Sequence, residues 1–524
     1  MKNYKYNIVL SILFCASIFT PLIIGVIEKD KKVSRYEKRN LYSLPSAPEN
    51  AKDLEGFPQE LDQYYSDHFG LRNWFTGMYR KVKFSLGDSP SEDVTVGQDG
   101  WLFLGSIKAG YKKNSDPIGD YRNINRYSKK QLKSLVKYFK GLDFWLSQQG
   151  IKFVFLIAPN KHSVYDDKLP EYITKINETS AQEQLIYHLK KYTKINVVEL
   201  LEPLIDKKND HQLYHKIDTH WTHHGANIAQ FEIFKTLQKL FPSEIDPNLF
   251  EVKEAYSKGG DLAGYIGIYG LSKYDPLPVF PDSCTPSRTP QDALLREVFT
   301  DECDDNKVTA LIYRDSFYTK LTPYFSRQLN KTTYVFKKIN YQLLKKQISQ
   351  FKPQLVIEEW VERHLPYVPK DAYIFKKHYD REVFNQSEEI LFSNDWKQLK
   401  MNKSLKLVSS SKSHIKLKPI GNDPTITIKN LNFKNHDEYI INIKLNSSIK
   451  SSFRIFYSRV GENSPKFTQQ HSIKKNINKG FSDAYISLDY QNLGSELRID
   501  LNNTSGIEIK EIVIKKVVKL FNKN

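Results

Sequence analysis

The stretch Tyr214-His-Lys-Ile-Asp-Thr-His-Trp-Thr-His-His-Gly-Ala226 is the part of the sequence from which the fold and the site are predicted, because it places Asp218 two residues before His220. In an extended segment, residues i and i+2 point to the same side, so the Asp218 carboxylate is placed to accept a hydrogen bond from one ring nitrogen of His220. Such a bond fixes the tautomer and leaves the second nitrogen free as a base. The pair therefore predicts half of a catalytic site and requires a nucleophile elsewhere in the chain.

The segment Val308-Thr-Ala-Leu-Ile-Tyr-Arg-Asp-Ser-Phe317 supplies that nucleophile. Its apolar half is typical of a buried strand, and residues 319–325 are typical of a helix. A serine on a sharp turn from strand to helix exposes its hydroxyl at the carboxyl end of the strand, in front of helix amides. We interpret Ser316, His220 and Asp218 as a catalytic triad, with the preceding Asp315 as a helix cap.

Helices and strands alternate through the middle of the chain. The near-continuous apolar run 151–158 is typical of a buried parallel strand. Further strands are predicted at 195–200, 308–313, 333–336 and 355–359, and helices at 128–149, 181–193, 225–241 and 342–351. This alternation predicts an α/β fold with a doubly wound parallel sheet, whose site lies at the carboxyl ends of the strands. Short alternating strands between polar turns instead predict a β-sandwich over residues 400–524.

The charge is strongly basic and unevenly distributed. The formal net charge is +18 over 524 residues, and residues 401–524 hold 21 Lys and Arg against 10 Asp and Glu, which accounts for +11 of it. A basic surface favours an anionic partner, such as an acidic glycan, or is simply a solvated surface. No signature of a nucleic-acid-binding module is visible, so no nucleic-acid partner is expected. A platform of Tyr457, Tyr485 and Tyr490 would add stacking against sugar rings, unless these residues form core.

The amino terminus predicts a membrane anchor. Residues 8–27 are twenty residues without a charge, which is just long enough to span a hydrocarbon core of about 30 Å. We expect an uncleaved, single-pass signal-anchor over residues 1–30 and a polar linker over 31–55. Lysines on both sides leave the orientation undecided. Aromatic and aliphatic residues then recur at helical spacing over 57–86, with a break at Gly70, and are expected to form core or a packed lid.

Three cysteines are present. Cys15 lies in the apolar amino-terminal run, whereas Cys284 and Cys303 flank a loop-like stretch that contains Pro286-Ser-Arg-Thr-Pro290. If this part of the chain lies outside the cytoplasm, the latter two would form a disulfide that closes the loop, and otherwise they are free thiols.

The main competing chemistry is a metal site. Asp218, His220, His223 and His224, with His215 nearby, are of the residue types that bind zinc. His223 and His224 open a predicted helix and point in different directions, however, and a second carboxylate does not recur at a ligand spacing. We therefore expect neither a metal nor a cofactor.

The motifs together resemble the SGNH hydrolase-like proteins of polysaccharide O-acetylation, which include the extracytoplasmic alginate O-acetyltransferases. The resemblance covers residues 35–370 approximately, and its triad order, with the serine last, is that of the alginate-type branch. Arg314 stands where the family motif around the serine has Gly. The matching motifs are Asp218-Thr-His-Trp221 with His224-Gly-Ala226, Asp315-Ser-Phe317, Gly100-Trp-Leu-Phe103, Ala158-Pro-Asn-Lys-His-Ser-Val-Tyr165 with Leu169-Pro170, and Glu362-Arg363.

The resemblance implies an SGNH-hydrolase-like domain over residues 56–395, on the periplasmic or extracytoplasmic side of the cytoplasmic membrane. It implies an O-acetyltransferase that carries acetyl on Ser316 as an ester and passes it to hydroxyls of an exported polysaccharide. A polytopic membrane-bound O-acyltransferase would be the acetyl source. The sequence leaves two alternatives: an acetylesterase with the same triad, or a non-catalytic glycan-binding scaffold of a secretion complex.

Three further residues are candidates for the same cleft. Asn160 and Lys161 follow the strand 151–158, so either one, like the Ser316 amide, would reach an oxyanion. Arg363 is placed to bind a glycan carboxylate or to pair with Glu362.

Overall fold

The computed structural model describes residues 2–34, 39–108, 110, 115–280, 284–290, 297–365, 369, 372–435, 437–461, 467–488, 492–501 and 506–517. Tyr490, one of the proposed platform residues, lies outside these ranges. The amino-terminal part begins with a helix that contains the predicted anchor. Its elements are α1 (Lys2–Ile27), β1 (Val33–Ser34), β2 (Arg39–Asn40), α2 (Ala51–His68), α3 (Arg72–Ser85), β3 (Val94–Val96) and β4 (Leu102–Leu104).

The helix α1 is apolar over Tyr6–Ile27, which is long enough by length and composition to cross a membrane. The helix α2 starts inside the predicted linker, where Asn50 accepts hydrogen bonds from the first turn and caps it. The prediction that the apolar stripe over 57–86 forms core is wrong, since α2 and α3, all of whose residues are described, bury none of them. Periodicity shows that one face of a helix is apolar but does not show what covers that face.

The middle of the chain contains the helices that flank the central sheet. Ser128 and Ser180 form capping boxes with Gln131 and Glu183 at the starts of two of them, which satisfies amides that the helices leave unpaired. These helices are α4 (Pro117–Tyr121), α5 (Lys129–Ser147), α6 (Lys161–Val164), α7 (Ala181–Tyr192), α8 (Leu201–Lys207), α9 (His223–Leu240), α10 (Asp261–Tyr265), α11 (Thr322–Gln328), α12 (Tyr341–Phe351) and α13 (Ala372–Gln386).

The strands of the same region include the predicted apolar runs, which are confirmed as β5, β13 and β15. Several short strands between them have no strong sequence signal. The strands are β5 (Lys152–Ala158), β6 (Asn196–Val198), β7 (Val252–Lys253), β8 (Tyr256–Lys258), β9 (Ser272–Tyr274), β10 (Leu277–Pro278), β11 (Ser287–Pro290), β12 (Val298–Glu302), β13 (Thr309–Tyr313), β14 (Lys331–Val335) and β15 (Leu355–Val361).

The central sheet is mixed rather than purely parallel. Among the described residues it contains seven strands in the order β11-β12-β14-β13-β15-β5-β6. The strands β14, β13, β15, β5 and β6 are parallel to one another, whereas β12 pairs antiparallel with β14 and with β11. The prediction of a parallel sheet therefore holds for the part that carries the site and is wrong for the edge.

That edge contains the two cysteines. Most of the stretch interpreted above as a loop instead forms β11 (Ser287–Pro290), which pairs in a hairpin with β12. Cys284 and Cys303 are joined by a disulfide at the open end of this hairpin. Cys15 in α1 is a free, exposed thiol.

Both faces of the central sheet are buried. Alternate residues of β5 enter different apolar clusters: Val154 and Leu156 pack with α9 and α11, and Phe153 and Phe155 pack with α5, α7, α12 and α13. Burial on both faces explains why these strands are continuously apolar in sequence. The result is three layers, with the carboxyl ends of β13, β15 and β5 side by side at one edge.

The carboxy-terminal part is rich in strands. They are β16 (Ile390–Ser393), β17 (Leu399–Met401), β18 (Leu405–Ser410), β19 (Ile415–Pro419), β20 (Thr425–Ile428), β21 (Tyr439–Ser447), β22 (Ser451–Arg459), β23 (Ser472–Ile477), β24 (Gly480–Leu488), β25 (Leu493–Leu501) and β26 (Ile507–Lys516). One antiparallel sheet has the order β18-β19-β26-β21-β24, with β16 also on β26, and a second has the order β17-β20-β25-β22-β23. Residues of both sheets form one apolar cluster, which includes Ile441, Ile514 and Ile455.

The helix α13 connects the two regions. Phe375 packs under the central sheet, while Val383 and Phe384 pack with Ile440 and Tyr485 of the carboxy-terminal strands. Tyr457 is also buried, in the cluster between the two sheets. Neither Tyr457 nor Tyr485 is therefore available as a platform for sugar rings; both form core, which is the alternative that the sequence left open.

Candidate active site

Ser316 lies on the turn that leaves the sheet after β13. The next residues, Phe317–Lys320, form a 3₁₀ turn that has Ser316 at its amino-terminal cap position, but the Ser316 side chain makes no capping hydrogen bond within the described chain. Asp315 takes over that role by accepting a hydrogen bond from the Phe317 amide at 2.9 Å. The Ser316 hydroxyl is thereby left half-buried and directed at another partner.

That partner is His220. Nε2 of the ring lies 2.8 Å from Oγ of Ser316, and Nδ1 lies 2.7 Å from Oδ1 of Asp218. The three residues therefore form one hydrogen-bonded chain, although Ser316 is 96 residues from His220 in sequence.

The Asp218 carboxylate is held in its charged form. Burial alone would raise its pKa, but the hydrogen bond from His220 and the positive charges of His220 and Lys273 lower the pKa below its ordinary value. Lys273 Nζ lies 3.6 Å from Oδ2 of Asp218. An ionised Asp218 is the form that stabilises a protonated imidazole.

Trp221 fixes the histidine loop to the serine turn. Its ring is fully buried, and Nε1 donates to the Phe317 carbonyl at 2.9 Å. An isolated antiparallel β-bridge between Tyr214 and Trp221 closes the loop that carries Asp218 and His220. Trp221 and Phe317, which directly follow His220 and Ser316, are thus joined by a second, buried hydrogen bond.

Lys161 holds the loop from the other side. It follows β5, is fully buried, and its ammonium group donates to the carbonyls of His215, Lys216 and Asp218 at 3.0, 3.1 and 2.8 Å. Burial lowers the pKa of Lys161 to about 7, while the charges of Asp261 and Asp218 oppose this shift. Three acceptors match the three N–H bonds of an ammonium group, so we interpret Lys161 as a brace for the loop rather than an oxyanion donor.

We expect Lys161→Met to destabilise the protein by about 3 kcal/mol or more, because it leaves three carbonyls of the loop without their donor. Urea denaturation followed by circular dichroism measures this loss. Lys130→Met, an exposed lysine at the start of α5, is the matched control. Equal denaturation midpoints for the two variants would show that water replaces the ammonium group without cost.

Asn160 presents an unused donor at the same edge. Its backbone amide donates to Oε2 of Glu362 at 2.7 Å, but its buried Nδ2 has no hydrogen-bond partner among the described residues. A small cavity is lined by Asn160, Lys161, Thr219 and Arg363, among others. An unsatisfied buried amide beside a cavity is placed to bind an oxygen of a ligand.

Arg363 and Glu362 do not form the ion pair that was considered from the sequence. Glu362 is buried and accepts from Asn160 and from the Ser163 hydroxyl, and burial raises the pKa of its carboxyl. Arg363 lies over the Phe317 ring, 5.1 Å from its centroid, with a long contact of 3.5 Å to Oδ1 of Asn160. Arg363 therefore lies at the cleft, and Glu362 is a structural acceptor.

Arg314 does not crowd the serine. Its guanidinium lies over the Phe336 ring at 4.9 Å and donates to the Thr319 hydroxyl at 3.2 Å. Behind the same turn, Glu359 accepts from the Asp315 amide at 2.8 Å, and burial together with the charge of Asp315 raises the pKa of Glu359. The departure from the family motif at Arg314 is thus accommodated beside the turn.

Asp261, at the start of α10, was missed from the sequence. It accepts hydrogen bonds from the Thr219 amide at 2.7 Å and from the Thr219 hydroxyl, and its own amide donates to Asp218 at 3.2 Å. Gly260 permits this approach, since a Cβ there would lie 2.3 Å from the Ile217 carbonyl. The pair Gly259-Gly260 before an acidic residue is the only signal of this turn in the sequence.

Two of the histidines considered as zinc ligands make other contacts. His224 stacks on His211 with 4.1 Å between ring centroids, and Nδ1 of His215 lies 2.7 Å from the Tyr274 carbonyl. Asp218, His220 and Asp261 do place possible ligand atoms within 4.8 Å of one another. In the described geometry, however, Nδ1 of His220 is already bonded to Asp218.

The middle of the chain matches a known family model. A family model described as an SGNH hydrolase-like domain of the acetyltransferase AlgX matches residues 94–311. This part of the chain is therefore similar to the SGNH hydrolase-like domain of AlgX. The matched range contains Asp218 and His220, and Ser316 follows its end.

Relatives with a curated description are probable alginate O-acetylases AlgJ. The protein from Pseudomonas fluorescens is 24% identical over 213 residues, which are 39% of this chain and 49% of that protein. The protein from Azotobacter vinelandii is 23% identical over 228 residues, which are 42% of this chain and 54% of that protein. This chain thus spans about half the length of the curated relatives it matches.

Two solved structures with some likeness to this chain are those of an AlgJ domain and of PatB1. The O-acetyltransferase domain of Pseudomonas putida AlgJ gives a TM-score of 0.35 at 18% identity, covering 54% of this chain and 98% of that domain. Bacillus cereus PatB1 gives a TM-score of 0.36 at 16% identity, covering 51% of this chain and 95% of that protein.

Proposed function

We propose that this protein is a serine-dependent O-acetyltransferase that acetylates hydroxyls of an exported or cell-surface polysaccharide. The observation that carries the proposal is the hydrogen-bonded chain from Ser316 through His220 to Asp218. The similarity of residues 94–311 to an SGNH hydrolase-like acetyltransferase domain supports it. The choice of acetyl as the transferred group and of a polysaccharide as the acceptor follows the curated AlgJ proteins, which are described as probable alginate O-acetylases.

In the first half of the proposed reaction, Oγ of Ser316 attacks the carbonyl carbon of an acetyl ester or thioester. Nε2 of His220 takes the hydroxyl proton as the new C–O bond forms, and the resulting imidazolium is stabilised by the ionised Asp218. The tetrahedral oxyanion then collapses, the donor's leaving group departs with the proton from His220, and acetyl remains on Ser316 as an ester.

In the second half, a hydroxyl of the polysaccharide attacks the acetyl-serine. His220 accepts the proton of that hydroxyl and returns it to Oγ of Ser316 as the ester bond to serine breaks. The oxyanion of both steps needs a donor in the cleft, and the buried Nδ2 of Asn160 is available for this task. Arg363 is proposed to bind an acidic group of the acceptor.

The acceptor is proposed to be anionic because the carboxy-terminal part is basic, with +11 of the +18 net charge on residues 401–524. We propose that its two antiparallel sheets form a β-sandwich over residues 400–524 that holds the polymer near the catalytic domain over residues 56–395. A surface groove of about 540 Å³ beside Lys416 and Lys418 is one place for acidic sugars. The acetyl source is proposed to be a membrane-bound O-acyltransferase.

The experiment that tests the proposal supplies the full-length protein with 4-nitrophenyl acetate and a polysaccharide such as deacetylated alginate. Acetyl-polysaccharide and free acetate are measured together. Transfer to the polymer in excess over hydrolysis is the expected result. Acetate alone, unaffected by any polymer, would identify an acetylesterase, and neither product would favour a scaffold without chemistry.

We further propose that residues 1–30 anchor the protein in the cytoplasmic membrane, with the other domains on the extracytoplasmic side. A reporter enzyme that is active only outside the cytoplasm, fused after Asn40, is expected to be active, and the chain is expected to sediment with membranes. The apolar span Tyr6–Ile27 and the Cys284–Cys303 disulfide support this topology. Deletion of residues 1–30 should release the protein. A fusion that works only with a cytoplasmic reporter would overturn the arrangement.

A further inference from the structure

The helix α3 exposes one continuous apolar face. The face contains two aromatic residues that are more than half exposed, Trp74 at 57% and Tyr79 at 60%. With 100° between successive residues, its members all fall within less than half of the helix circumference. They are Trp74, Phe75, Met78, Tyr79, Val82 and Leu86.

The opposite side of α3 is attached to the rest of the protein. Phe84 packs against a buried cluster that includes Ile217 and Leu262. The Arg80 side chain packs closely on Gly267, since a Cβ added to this glycine would lie only 2.3 Å from Nη1 of Arg80. These contacts fix the rotation of α3 about its axis. The exposed apolar face is therefore held in a defined direction.

The start of α3 lies against the apolar span of α1. In the turn between α2 and α3, a Cβ on Gly70 would be 2.0 Å from the Pro21 carbonyl, and a Cβ on Gly25 would be 3.3 Å from the Gly70 amide. Pro21 is six residues before the end of the span at Ile27, which is about 9 Å along the helix axis at about 1.5 Å per residue. If α1 crosses a membrane, the first residues of α3 therefore lie at the depth of the outermost part of that membrane.

The charges of the two neighbouring helices differ. The sequence of α3 contains Arg72, Arg80, Lys81 and Lys83 and no acidic residue, whereas α2 contains five acidic residues and a single lysine. A basic helix with an aromatic face is attracted to the anionic headgroups of a membrane, and an acidic helix is repelled.

We propose that α3 lies in the headgroup region of the membrane that α1 spans, with its apolar face in the acyl boundary and its basic side chains at the lipid phosphates. The proposal rests on the membrane location proposed above. Amphipathic helices of this kind enter a bilayer by about 5–10 Å, which agrees with the level of Gly70 on α1. Aromatic residues such as Trp74 and Tyr79 are favoured at that depth.

This placement fixes the height of the reactive site above the lipid. Ile217, the residue before Asp218, belongs to the cluster on which Phe84 packs. A single apolar cluster therefore lies between α3 and the loop that carries Asp218 and His220. A flexible tether alone would leave the site free to move away from the membrane, whereas α3 holds it close to the surface from which a membrane-bound donor delivers acetyl.

The test uses nitroxide labels in the full-length protein, reconstituted in vesicles of phosphatidylcholine and phosphatidylglycerol in equal parts. One sample is labelled at the native Cys15 in the span, and two others carry Cys15→Ser with either Met78→Cys or Asn73→Cys. Asn73 is exposed but lies outside the apolar face. Collision with oxygen, which dissolves in lipid, is compared with collision with a water-soluble nickel complex.

We expect the labels at residues 15 and 78 to favour oxygen, and the label at residue 73 to favour nickel. A label at residue 78 that favours nickel while Cys15 favours oxygen overturns the proposal for α3 and leaves the anchor intact. Preference for nickel at both residues 15 and 78 overturns the membrane location as well. If the signal at residue 78 changes with the ratio of protein to lipid, a second copy covers the face, and the lipid proposal fails.

Discussion

The Ser316→Ala variant is expected to lose acetyl transfer completely and to form no acetyl-enzyme. The hydroxyl is the atom that makes the covalent bond, and no neighbouring group among the described residues is hydrogen-bonded to Nε2 of His220 in its place. Folding should be unchanged, because a half-buried hydroxyl on a turn contributes little to stability. Intact-mass analysis after incubation with 4-nitrophenyl acetate measures the covalent adduct, and the denaturation midpoint measures the fold.

The matched control is Thr319→Ala, which removes a hydroxyl three residues further along the same turn. This hydroxyl accepts a hydrogen bond from Arg314. The control variant should retain both the adduct and the transfer activity. An acetyl adduct of wild-type size on the Ser316→Ala variant would place the nucleophile elsewhere and would end the interpretation of this site as a serine enzyme.

The Asp218→Asn variant is expected to lower the rate of acetyl-enzyme formation by about 10⁴-fold, by analogy with the same change in other triads. Asparagine retains the shape but presents a neutral amide to Nδ1 of His220, so the ring adopts the wrong tautomer and its protonated form loses its counter-charge. Stopped-flow measurement of nitrophenol release gives the rate, and binding of the polysaccharide to the variant should be unchanged.

Asp261→Asn provides the comparison, because Oδ2 of Asp261 lies 3.7 Å from Nδ1 of His220, whereas Oδ1 of Asp218 lies at 2.7 Å. We expect a much smaller loss for this variant, since Asp261 positions Thr219 and does not hold the ring. A larger loss at Asp261 than at Asp218 would exchange the roles of the two carboxylates.

The elements that could be predicted from sequence are those with strong local patterns. The strands β5, β13 and β15 are apolar on both faces, so each one is a continuous run. The contact between Asp218 and His220 was also predicted, but for the wrong reason: residues 216–220 form turns and bends rather than an extended segment, and Asp218 additionally accepts a hydrogen bond from the His220 amide. The serine turn was visible because a buried strand ends directly before it.

The elements that could not be predicted depend on distant partners. The hairpin of β11 and β12 contains few apolar residues, and its pairing is set by contact with β14 and by a disulfide. Asp261 reaches the histidine loop from 42 positions beyond Thr219, through a turn with no periodic pattern. In α3 the periodicity correctly predicted a helix but did not identify the environment of its apolar face.

The strand order of the central sheet has a consequence for how the protein is made. The strand β15 lies between β13 and β5, yet it is the last of the parallel strands to be synthesised. If the chain is threaded through a translocon with its amino terminus anchored, β5 and β13 emerge with their facing edges unpaired and wait for residues 355–361. Long-range parallel pairing is slow, and such edges invite association with other chains. If the protein is exported as proposed, the emerging chain therefore passes through an interval in which the edges of β5 and β13 are open to association, and this interval ends only when β15 is inserted between them.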